Sequence, residues 1–300
     1  MGSRLWAVGQ RSESGVPIPE LRPTAHSLQP TASSGWSAAL ALRYESRAGR
    51  TVLAHRRHVG PLIVQRPFYP EGGICHSYIV HPPGGVVGGD ELTLEVECGP
   101  GAHAVITTPA AAKFYRSEGA IARQLQRLSL PGASLEWLPQ ETIYYPGACA
   151  RSTTRVHVAA DSRFIGWEVV CLGLPARKQP FEAGALQLGF ELWNGDTPRY
   201  LDRLQVRGGA DALTAAWGWA DQTCLGTMLV WPARREWVDL ARNVQSTAAQ
   251  IAITLVDGVL VCRSLGQQAE QVRAALIDVW QVLRPVLFGI PAVRPRIWAT

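Results

Sequence analysis

The sequence contains no run of about 18 consecutive apolar residues, the length that a membrane-spanning helix needs. Its first ten residues lack the apolar core of a secretory signal, and the stretch that follows is polar and rich in proline. We therefore expect neither a transmembrane helix nor a signal peptide. The expected location is the cytoplasm.

Close cysteine pairs, which zinc and redox motifs use, are also absent. The six cysteines are scattered singly through the 300 residues. A chain of this length can bury a sizeable core without disulfides. The sequence therefore predicts free and mostly buried thiols at Cys75, Cys98, Cys149, Cys171, Cys224 and Cys262.

Basic residues form no dense run, although the formal net charge is +5. The pairs Arg56-Arg57 and Arg234-Arg235 are isolated, so the stripe of basic and aromatic residues that nucleic acid requires is missing. The small positive excess favours an acidic protein partner without identifying one. The 11 tryptophans indicate a large core and some interface contacts.

Motifs of nucleophilic catalysis are missing as well. There is no G-x-S-x-G elbow and no S-x-x-K sequence. Carboxylates at Asp90, Glu136, Glu141 and Glu168 leave open an all-β hydrolase with a carboxylate pair. Such an enzyme needs two acids roughly 5–10 Å apart in an open cleft.

A metal site at Cys75, His76 and His81 is the next alternative. In one regular strand the two histidines project to opposite faces, because they are five residues apart. Cys75 and His81 share a face but lie roughly 20 Å apart along the strand. A single strand does not bring these ligands to one ion, so we expect no tightly bound metal.

Four glycines, Gly84, Gly85, Gly88 and Gly89, occur within six residues just before Asp90. A phosphate-binding loop would lead into a helix and carry a lysine, whereas this segment leads into an alternating strand. The sequence therefore argues against nucleotide binding. We expect the glycines to allow unusual backbone angles or a close approach by another segment.

Most of the remaining sequence has the pattern of β-strands. Glu91–Cys98 alternates apolar and polar residues, and a turn at 48–50 separates two further candidates at 39–44 and 51–55. We predict a mainly β fold, sandwich-like or β-helix-like, although no fixed-length repeat selects a solenoid. Other predicted strands are 74–81, 102–108, 134–138, 153–159, 164–171, 186–193 and 199–206.

The last quarter of the chain is expected to be mixed α and β. Residues 237–244 have helical spacing, and Asp257-Gly258 is a strong hairpin signal between 251–256 and 259–263. An amphipathic helix follows Gly266, and Pro285 is expected to end or kink it. The predicted organisation is a disordered extension (1–35) and a single domain (36–300), with a β body at about 36–232 and an α+β portion at about 233–300.

Four blocks of this sequence resemble signature segments of the urease accessory protein UreD family, also called UreH. They are residues 60–90, 107–117, 135–147 and 295–300, in that order. The resemblance implies a mainly β scaffold without catalysis of its own or a tightly bound cofactor. It further implies binding to a UreF-type protein, which recruits a UreG-type GTPase, and docking of the assembly on apo-urease. Nickel is expected to pass transiently through an internal channel.

The resemblance also selects site residues. Asp90, Ser117 and Glu141 are candidates for the channel wall, where weak oxygen ligands would let the ion leave again. Alternative roles are a turn acceptor, a loop hydroxyl and a salt-bridge partner, respectively. Lys113, one of two lysines beside 27 arginines, and Arg116 are expected to anchor the loop.

One segment departs from the family pattern. Leu174 stands where the family carries arginine, and Lys178-Gln179 stand where a Gly-Glu pair is usual. If that glutamate conducts nickel, the route through this chain differs. Trp280 and Trp298, near the C-terminus, are candidates for an exposed partner surface.

Overall fold

The computed structural model describes residues 35–244, 246 and 249–299. Apart from Gly35, the predicted disordered extension lies outside these described residues. Within the described part, no helix is both long and apolar enough to cross a membrane.

Strands make up most of the described secondary structure, which confirms the mainly β prediction. The helices are α1 (Arg235–Arg242) and α2 (Ala269–Phe288). The strands are β1 (Ser37–Arg47), β2 (Arg50–Val59), β3 (Ile63–Val64), β4 (Cys75–Val80), β5 (Glu91–Cys98), β6 (His103–Thr107), β7 (Ala112–Phe114), β8 (Ala122–Leu130), β9 (Ser134–Leu138), β10 (Thr142–Tyr144), β11 (Cys149–Val158), β12 (Arg163–Leu172), β13 (Ala185–Asn194), β14 (Thr197–Arg207), β15 (Cys224–Trp231), β16 (Gln250–Val256) and β17 (Val259–Gly266).

These strands form two mixed sheets. The first sheet has the order β14-β13-β11-β8-β5-β1-β2. The second sheet has the order β16-β17-β15-β12-β9-β6-β4-β3, and β10 and β7 continue from β12 as a short branch. The hairpin β16–β17 belongs to the second sheet, because β17 pairs with β15.

The chain crosses between the sheets in irregular coils. Strands β5, β8, β11 and β13 are parallel neighbours in the first sheet, and β6, β9 and β12 are parallel neighbours in the second. Glu91 pairs with Arg123, Arg123 with Arg151, and Arg151 with Gln187, which are offsets of 32, 28 and 36 residues. The centre is therefore β-helix-like, and its variable coil length explains why the sequence shows no repeat.

Alternation places the core between the sheets. In Glu91–Cys98 the burial pattern has every second residue buried, as the sequence predicts. The predicted hairpins at 48–50 and at Asp257-Gly258 are also present. Each gives the sequence a turn that fixes the register of its two strands.

Sequence reasoning missed two long strands for opposite reasons. Strand β15 is buried on nearly all positions, so it has no alternation to detect. Strand β8 carries glutamines on the face that points between the sheets, so it has no apolar stripe. A strand that is buried on both faces and a strand whose interior face is polar therefore both lack the alternating pattern by which a strand is predicted from sequence.

Helix α2 covers the outer face of the second sheet. Its residues Val272 and Leu276 are fully buried and lie so close to Gly226 of β15 that a Cβ there would approach them to 2.7–2.8 Å. The helix continues three residues past Pro285 to Phe288, and Gly289 then ends it at φ +74°. Pro285 therefore lies inside the last turn of the helix.

A buried ionic network holds this helix in place. The Arg284 guanidinium is completely buried, and its Nε and Nη2 donate to Glu136 at 2.9–3.1 Å. Its Nη1 and Nη2 donate to Glu71 at 2.6 and 3.0 Å. His103 and Trp280 add contacts to Glu136 at 3.0 and 2.9 Å. One cation thus joins the helix to two distant carboxylates.

Burial alone would raise the pKa of Glu136. Hydrogen bonds and charge from His103 and Arg284 outweigh burial, so the pKa lies below its usual value. The carboxylate therefore remains charged while completely buried. Such a pair contributes little over an apolar replacement but is costly to break on one side.

The tryptophans of this region are mostly internal. Trp280 is buried, so its predicted role in an exposed partner surface is wrong. Trp298 is half-buried, and its Nε1 donates to Thr107 at 3.0 Å. Its ring packs near Trp167 and Trp280, with centroids 5.7 and 5.9 Å apart. The C-terminal segment therefore folds back onto the core.

We predict that Arg284→Met lowers the free energy of unfolding by about 3–5 kcal/mol, because it leaves two buried carboxylates without their cation. Urea denaturation followed by fluorescence measures this change. Arg273→Met on the same helix is the matched control, and we expect it to stay within about 0.5 kcal/mol of wild type.

Adding Glu136→Gln to Arg284→Met tests the reason for the loss. We expect the double variant to recover at least about 1 kcal/mol, since it removes one uncompensated charge. Equal stability of Arg284→Met and Arg273→Met would contradict the assigned role.

Candidate functional site

An interior cavity of about 210 Å³ lies between the two sheets. Strands β5, β8 and β11 form one wall, and β12, β10 and the loop before β7 form the other. Its lining is mixed, with apolar side chains and several oxygen-bearing groups. The lining residues with polar or charged side chains are His81, Thr108, Lys113, Gln124, Gln126, Gln140, Thr142, Tyr144, Ser152 and Glu168.

Of the described residues that line this cavity, Glu168 alone is acidic. Its side chain is half-buried and borders the cavity. The strand alternation explains this position: Glu168 and Val170 of β12 face between the sheets, whereas Val169 and Cys171 pack towards α2.

A short hydrogen-bonded chain connects Glu168 with the opposite sheet. Thr154 Oγ contacts the Glu168 carboxyl and lies 2.5 Å from Gln126 Oε1. A threonine hydroxyl has one hydrogen, so it donates to only one of these two oxygens at a time. A protonated Glu168 can donate to Thr154 while Thr154 donates to Gln126, which satisfies all three groups.

The pKa of Glu168 is raised to about 7. Burial is the largest cause, the hydrogen bond from Thr154 lowers the pKa, and the negative charge of Asp202 raises it further. Glu168 therefore gains or loses its charge near neutral pH. A carboxyl group with this behaviour in a cavity is a candidate functional group.

Glu168 also lines a second cavity, of about 30 Å³. Asp202 and Thr227 also line it. Asp202 accepts a 2.7 Å ion pair from Arg263 and a 3.3 Å hydrogen bond from Tyr200. Glu168 therefore lines both the large cavity and a small, mainly apolar pocket at β13, β14 and β15.

The structure places Asp90 beside the large cavity but outside its lining. Asp90 is completely buried, and its two carboxylate oxygens accept from the backbone N–H groups of Trp36 and Val87 at 3.2 and 2.9 Å. It lies near His81, whose ring stacks on Trp36 with centroids 5.3 Å apart. Burial lowers the pKa of His81, and Asp90 opposes that effect.

The glycine cluster behaves as a tight loop. Gly84 and Gly89 have φ values of +76° and +93°, which favour glycine. A Cβ at Gly85 would lie 2.1 Å from the Tyr115 ring. Both expected roles, unusual backbone angles and close approach, are therefore present.

Ser117 packs against the same loop. A Cβ at Gly88 would lie 2.2 Å from Ser117 Oγ, and this hydroxyl donates to the carbonyl of Ala120 at 2.5 Å. The Lys113 carbonyl accepts from Val86 N–H at 2.8 Å, and Lys113 contributes to the cavity lining. Ser117 is therefore engaged within its own loop.

Arg116 lies on the surface of this region. Its side chain covers Gly147, where a Cβ would lie 2.7 Å from the arginine Cγ. Its guanidinium approaches Glu118 only to 3.9 Å, and both side chains are largely exposed. Such a pair contributes little to stability.

Glu141 lies on the other face of the second sheet. It precedes β10, in which Thr142 pairs with Val170 and Ile143 with Cys171. Alternation therefore directs Glu141 to the side of Cys171 rather than the cavity. Asp90, Ser117 and Glu141 do not come together in the described structure, and none of them lines the large cavity.

The segment that departs from the family pattern is a surface turn. Leu174 and Gln179 exchange backbone hydrogen bonds of 2.8 and 3.2 Å around a short 3₁₀ helix, Pro175–Arg177. Lys178 is exposed and has a φ of +55°. This segment is therefore a surface loop, and none of its residues lines the large cavity.

The structure does not join Cys75, His76 and His81 in one metal site, because these side chains make separate contacts. His76 Nε2 is 2.9 Å from Glu71, and Cys75 lies near Ser77, with 4.0 Å between Sγ and Oγ. Across the part of the chain that the structure describes, no group of three or more His, Cys, Asp or Glu side chains is arranged to hold a metal.

Sequence reasoning noted Glu168 only as one of four acids. Its importance comes from burial beside Thr154 and Gln126, residues 14 and 42 positions away in the chain. The available signal was weak: a carboxylate among the apolar residues of β12, and two alternating glutamines in β8. These residues come together only through the pairing of strands from different coils.

We predict that the free energy of unfolding of Glu168→Gln, relative to that of wild type, increases as the pH rises. The folded state holds this proton up to a pKa of about 7, whereas the unfolded state releases it near 4.5. Wild type therefore loses stability between these values, and at pH 8 the cost is about 3 kcal/mol. Urea denaturation at pH 5 and pH 8 measures the difference.

Glu118→Gln serves as the exposed control, because 92% of its side chain is accessible. It should show no change in relative stability between the two pH values. A Glu168→Gln variant whose stability relative to wild type is equal at pH 5 and pH 8 would contradict the raised pKa.

Comparison with known proteins covers nearly the whole described chain. The family model for the UreD urease accessory protein matches residues 37–299. A urease accessory protein UreD of Klebsiella pneumoniae subsp. pneumoniae is 45% identical over 273 residues, which cover 90% of this chain and 98% of that relative. Those of Dechloromonas aromatica and Escherichia coli are 42% and 40% identical over 91% and 89% of this chain, and over 97% and 98% of the relatives. This chain therefore belongs to the UreD family of urease accessory proteins.

Proposed function

We propose that this protein is a non-catalytic scaffold in urease maturation that gives Ni²⁺ a path towards the apo-urease active site. The observation that carries the proposal is the Glu168 carboxyl group, which lines two interior cavities. Membership in the UreD family supports a role in urease maturation. The nickel path is a more specific proposal than this role, and we place the path in the interior of the protein. We propose that the protein acts in the cytoplasm.

The chemistry of the cavity fits a transient cation. The lining offers one carboxyl group and several amide and hydroxyl oxygens, which are weaker ligands for Ni²⁺ than a cage of thiolates and imidazoles. It also includes the Lys113 side chain and a single imidazole, that of His81. Conduction requires binding that is strong enough for entry and weak enough for release. Glu168 would supply the charge, while Gln124, Gln126 and Thr142 would supply neutral oxygens.

The second cavity supports a direction for this path. Glu168 lines both cavities, and Asp202 lies in the smaller one. An ion that leaves Glu168 would meet a second carboxylate, which already shares its charge with Arg263. Two carboxyl groups along the path would lower the cost of moving a cation through the interior.

The partners follow from the family. We propose binding to a UreF-type accessory protein, recruitment of a UreG-type GTPase through it, and docking on apo-urease. Ni²⁺ is then cargo, and the protein requires no resident cofactor. The path must continue into a neighbouring protein, so partner binding would position one of its ends.

The alternative of an all-β hydrolase has one point in its favour. Glu168 has a raised pKa and feels the charge of Asp202, and such unequal pairs occur in glycoside hydrolases. The cavity that they share is only about 30 Å³, which holds roughly one or two waters. A sugar or peptide does not fit there, so we favour the nickel path.

The test is urease activation in cells that produce apo-urease and the other accessory proteins. We predict that Glu168→Leu lowers activation about tenfold compared with wild type, as expected for loss of a metal-contacting group. The variant should still co-purify with the UreF-type and UreG-type proteins. Glu118→Gln is the control and should activate like wild type.

Asp90→Ala belongs in the same experiment but tests a different role. Asp90 accepts hydrogen bonds from two backbone N–H groups in a buried loop, so we expect its loss to weaken folding and complex assembly together.

Full activation with Glu168→Leu would contradict the nickel path. No activation with wild type would contradict the role in urease maturation itself.

The raised pKa of Glu168 gives a pH prediction for purified components. Ni²⁺ binds the carboxylate, which forms as the pH rises through about 7. The ratio of activation by wild type to activation by Glu168→Gln should therefore increase between pH 6 and pH 8. Using the ratio removes the pH dependence of the GTPase and of urease. A constant ratio would contradict a charged Glu168 in the path.

A further inference from the structure

Two cysteines face each other at the end of one strand pair. Cys171 is the last residue but one of β12, and Cys224 is the first residue of β15. The antiparallel register places them directly opposite each other. Of the six cysteines in the chain, no other two are paired in any described strand register.

The hydrogen bonds next to this pair define its type. Leu172 N–H donates to the Thr223 carbonyl at 2.8 Å, so the neighbouring pair, Leu172 and Thr223, is a hydrogen-bonded one. Pair types alternate along an antiparallel ladder, so Cys171 and Cys224 form a non-hydrogen-bonded pair. The Cα atoms of such pairs are about 4.5 Å apart and their side chains are close.

This spacing is compatible with a disulfide. Disulfide-bonded cysteines have Cα atoms roughly 4.4–6.8 Å apart, and their Cβ vectors must point to the same side. Both side chains here belong to the same apolar cluster beneath α2, so they share a face of the sheet. The two thiols can therefore bond without a shift of either strand.

The surroundings favour one thiol as the nucleophile. Thr223 Oγ lies 3.6 Å from the Cys224 sulfur, where its hydroxyl can donate a hydrogen bond to a thiolate. Cys171 is 4% exposed, and the ladder ends within one residue of it. Cys224 is completely buried, so a small oxidant reaches its sulfur when this strand end frays.

We propose that Cys171 and Cys224 are a redox modification site that closes to an intramolecular disulfide when the protein meets a peroxide. This site is independent of the nickel path. Nothing in its chemistry requires the metal, and its side of β12 is opposite to Glu168.

The reaction balances with hydrogen peroxide. The Cys224 thiolate attacks one peroxide oxygen, the O–O bond breaks, and the other oxygen leaves as water after taking up a proton. The resulting sulfenic acid is attacked by the sulfur of Cys171, which forms the S–S bond and releases a second water. Two thiols supply two electrons, and one peroxide becomes two waters.

The experiment uses the full-length protein, reduced, freed of reductant and then treated with hydrogen peroxide. Free thiols are blocked with N-ethylmaleimide under denaturing conditions, and the monomer is digested with trypsin. Cys171 lies in the peptide 164–177 and Cys224 in the peptide 208–234, and neither contains a second cysteine. Mass spectrometry then detects the two peptides joined, with loss of two hydrogens.

We expect the free thiol count of the monomer to fall from six to four, with the joined peptide accounting for the loss. Cys262→Ala should leave the joined peptide unchanged, because Cys262 lies opposite Met228. Cys224→Ala should abolish it, and a reductant should restore six thiols in wild type.

Three results would overturn the proposal. One is a native monomer that keeps six free thiols at peroxide concentrations that oxidise a small-molecule thiol completely. Another is oxidation of Cys171 or Cys224 to sulfinic acid without the joined peptide. The third is a disulfide between Cys75 and Cys98, which lie in different sheets. The wild-type measurement alone distinguishes these results, even if a variant fails to fold.

Discussion

The fold depends on one buried cation, Arg284. Its guanidinium joins α2 to Glu71, in the loop before β4, and to Glu136 on β9. The three residues are separated by 65 to 213 positions in the chain, so the network forms only when the coils and the last helix are assembled. Removing one partner costs several kcal/mol, whereas the intact pair contributes little over apolar residues of the same size. The network therefore specifies where α2 packs rather than adding much net stability.

The same arrangement separates two kinds of chemistry on β12. Helix α2 covers one face of this strand, where Cys171 lies in an apolar environment. The opposite face borders a cavity in which Glu168 is accompanied by glutamine and threonine. A strand with one sealed face and one polar face can hold a titrating carboxyl group near neutral pH without exposing it to bulk water.

The sequence predicted what depends on neighbours along the chain. The alternation of Glu91–Cys98 and the Asp257-Gly258 hairpin needed only local periodicity and turn chemistry. The family resemblance drew attention to Asp90, but its carboxylate has two backbone partners, one of them 54 positions away. The position of Glu168 and the opposition of Cys171 to Cys224 depend on strand register across coils of unequal length. No local pattern encodes that register.

We propose that nickel passes the Glu168 carboxyl group inside the protein. X-ray diffraction from crystals soaked in Ni²⁺ at pH 8, collected at the nickel absorption edge, locates the ion directly. We expect an anomalous peak in the interior cavity beside Glu168 in wild type and no such peak in Glu168→Leu. Peaks confined to surface histidines such as His55 and His58, with none beside Glu168, would contradict it.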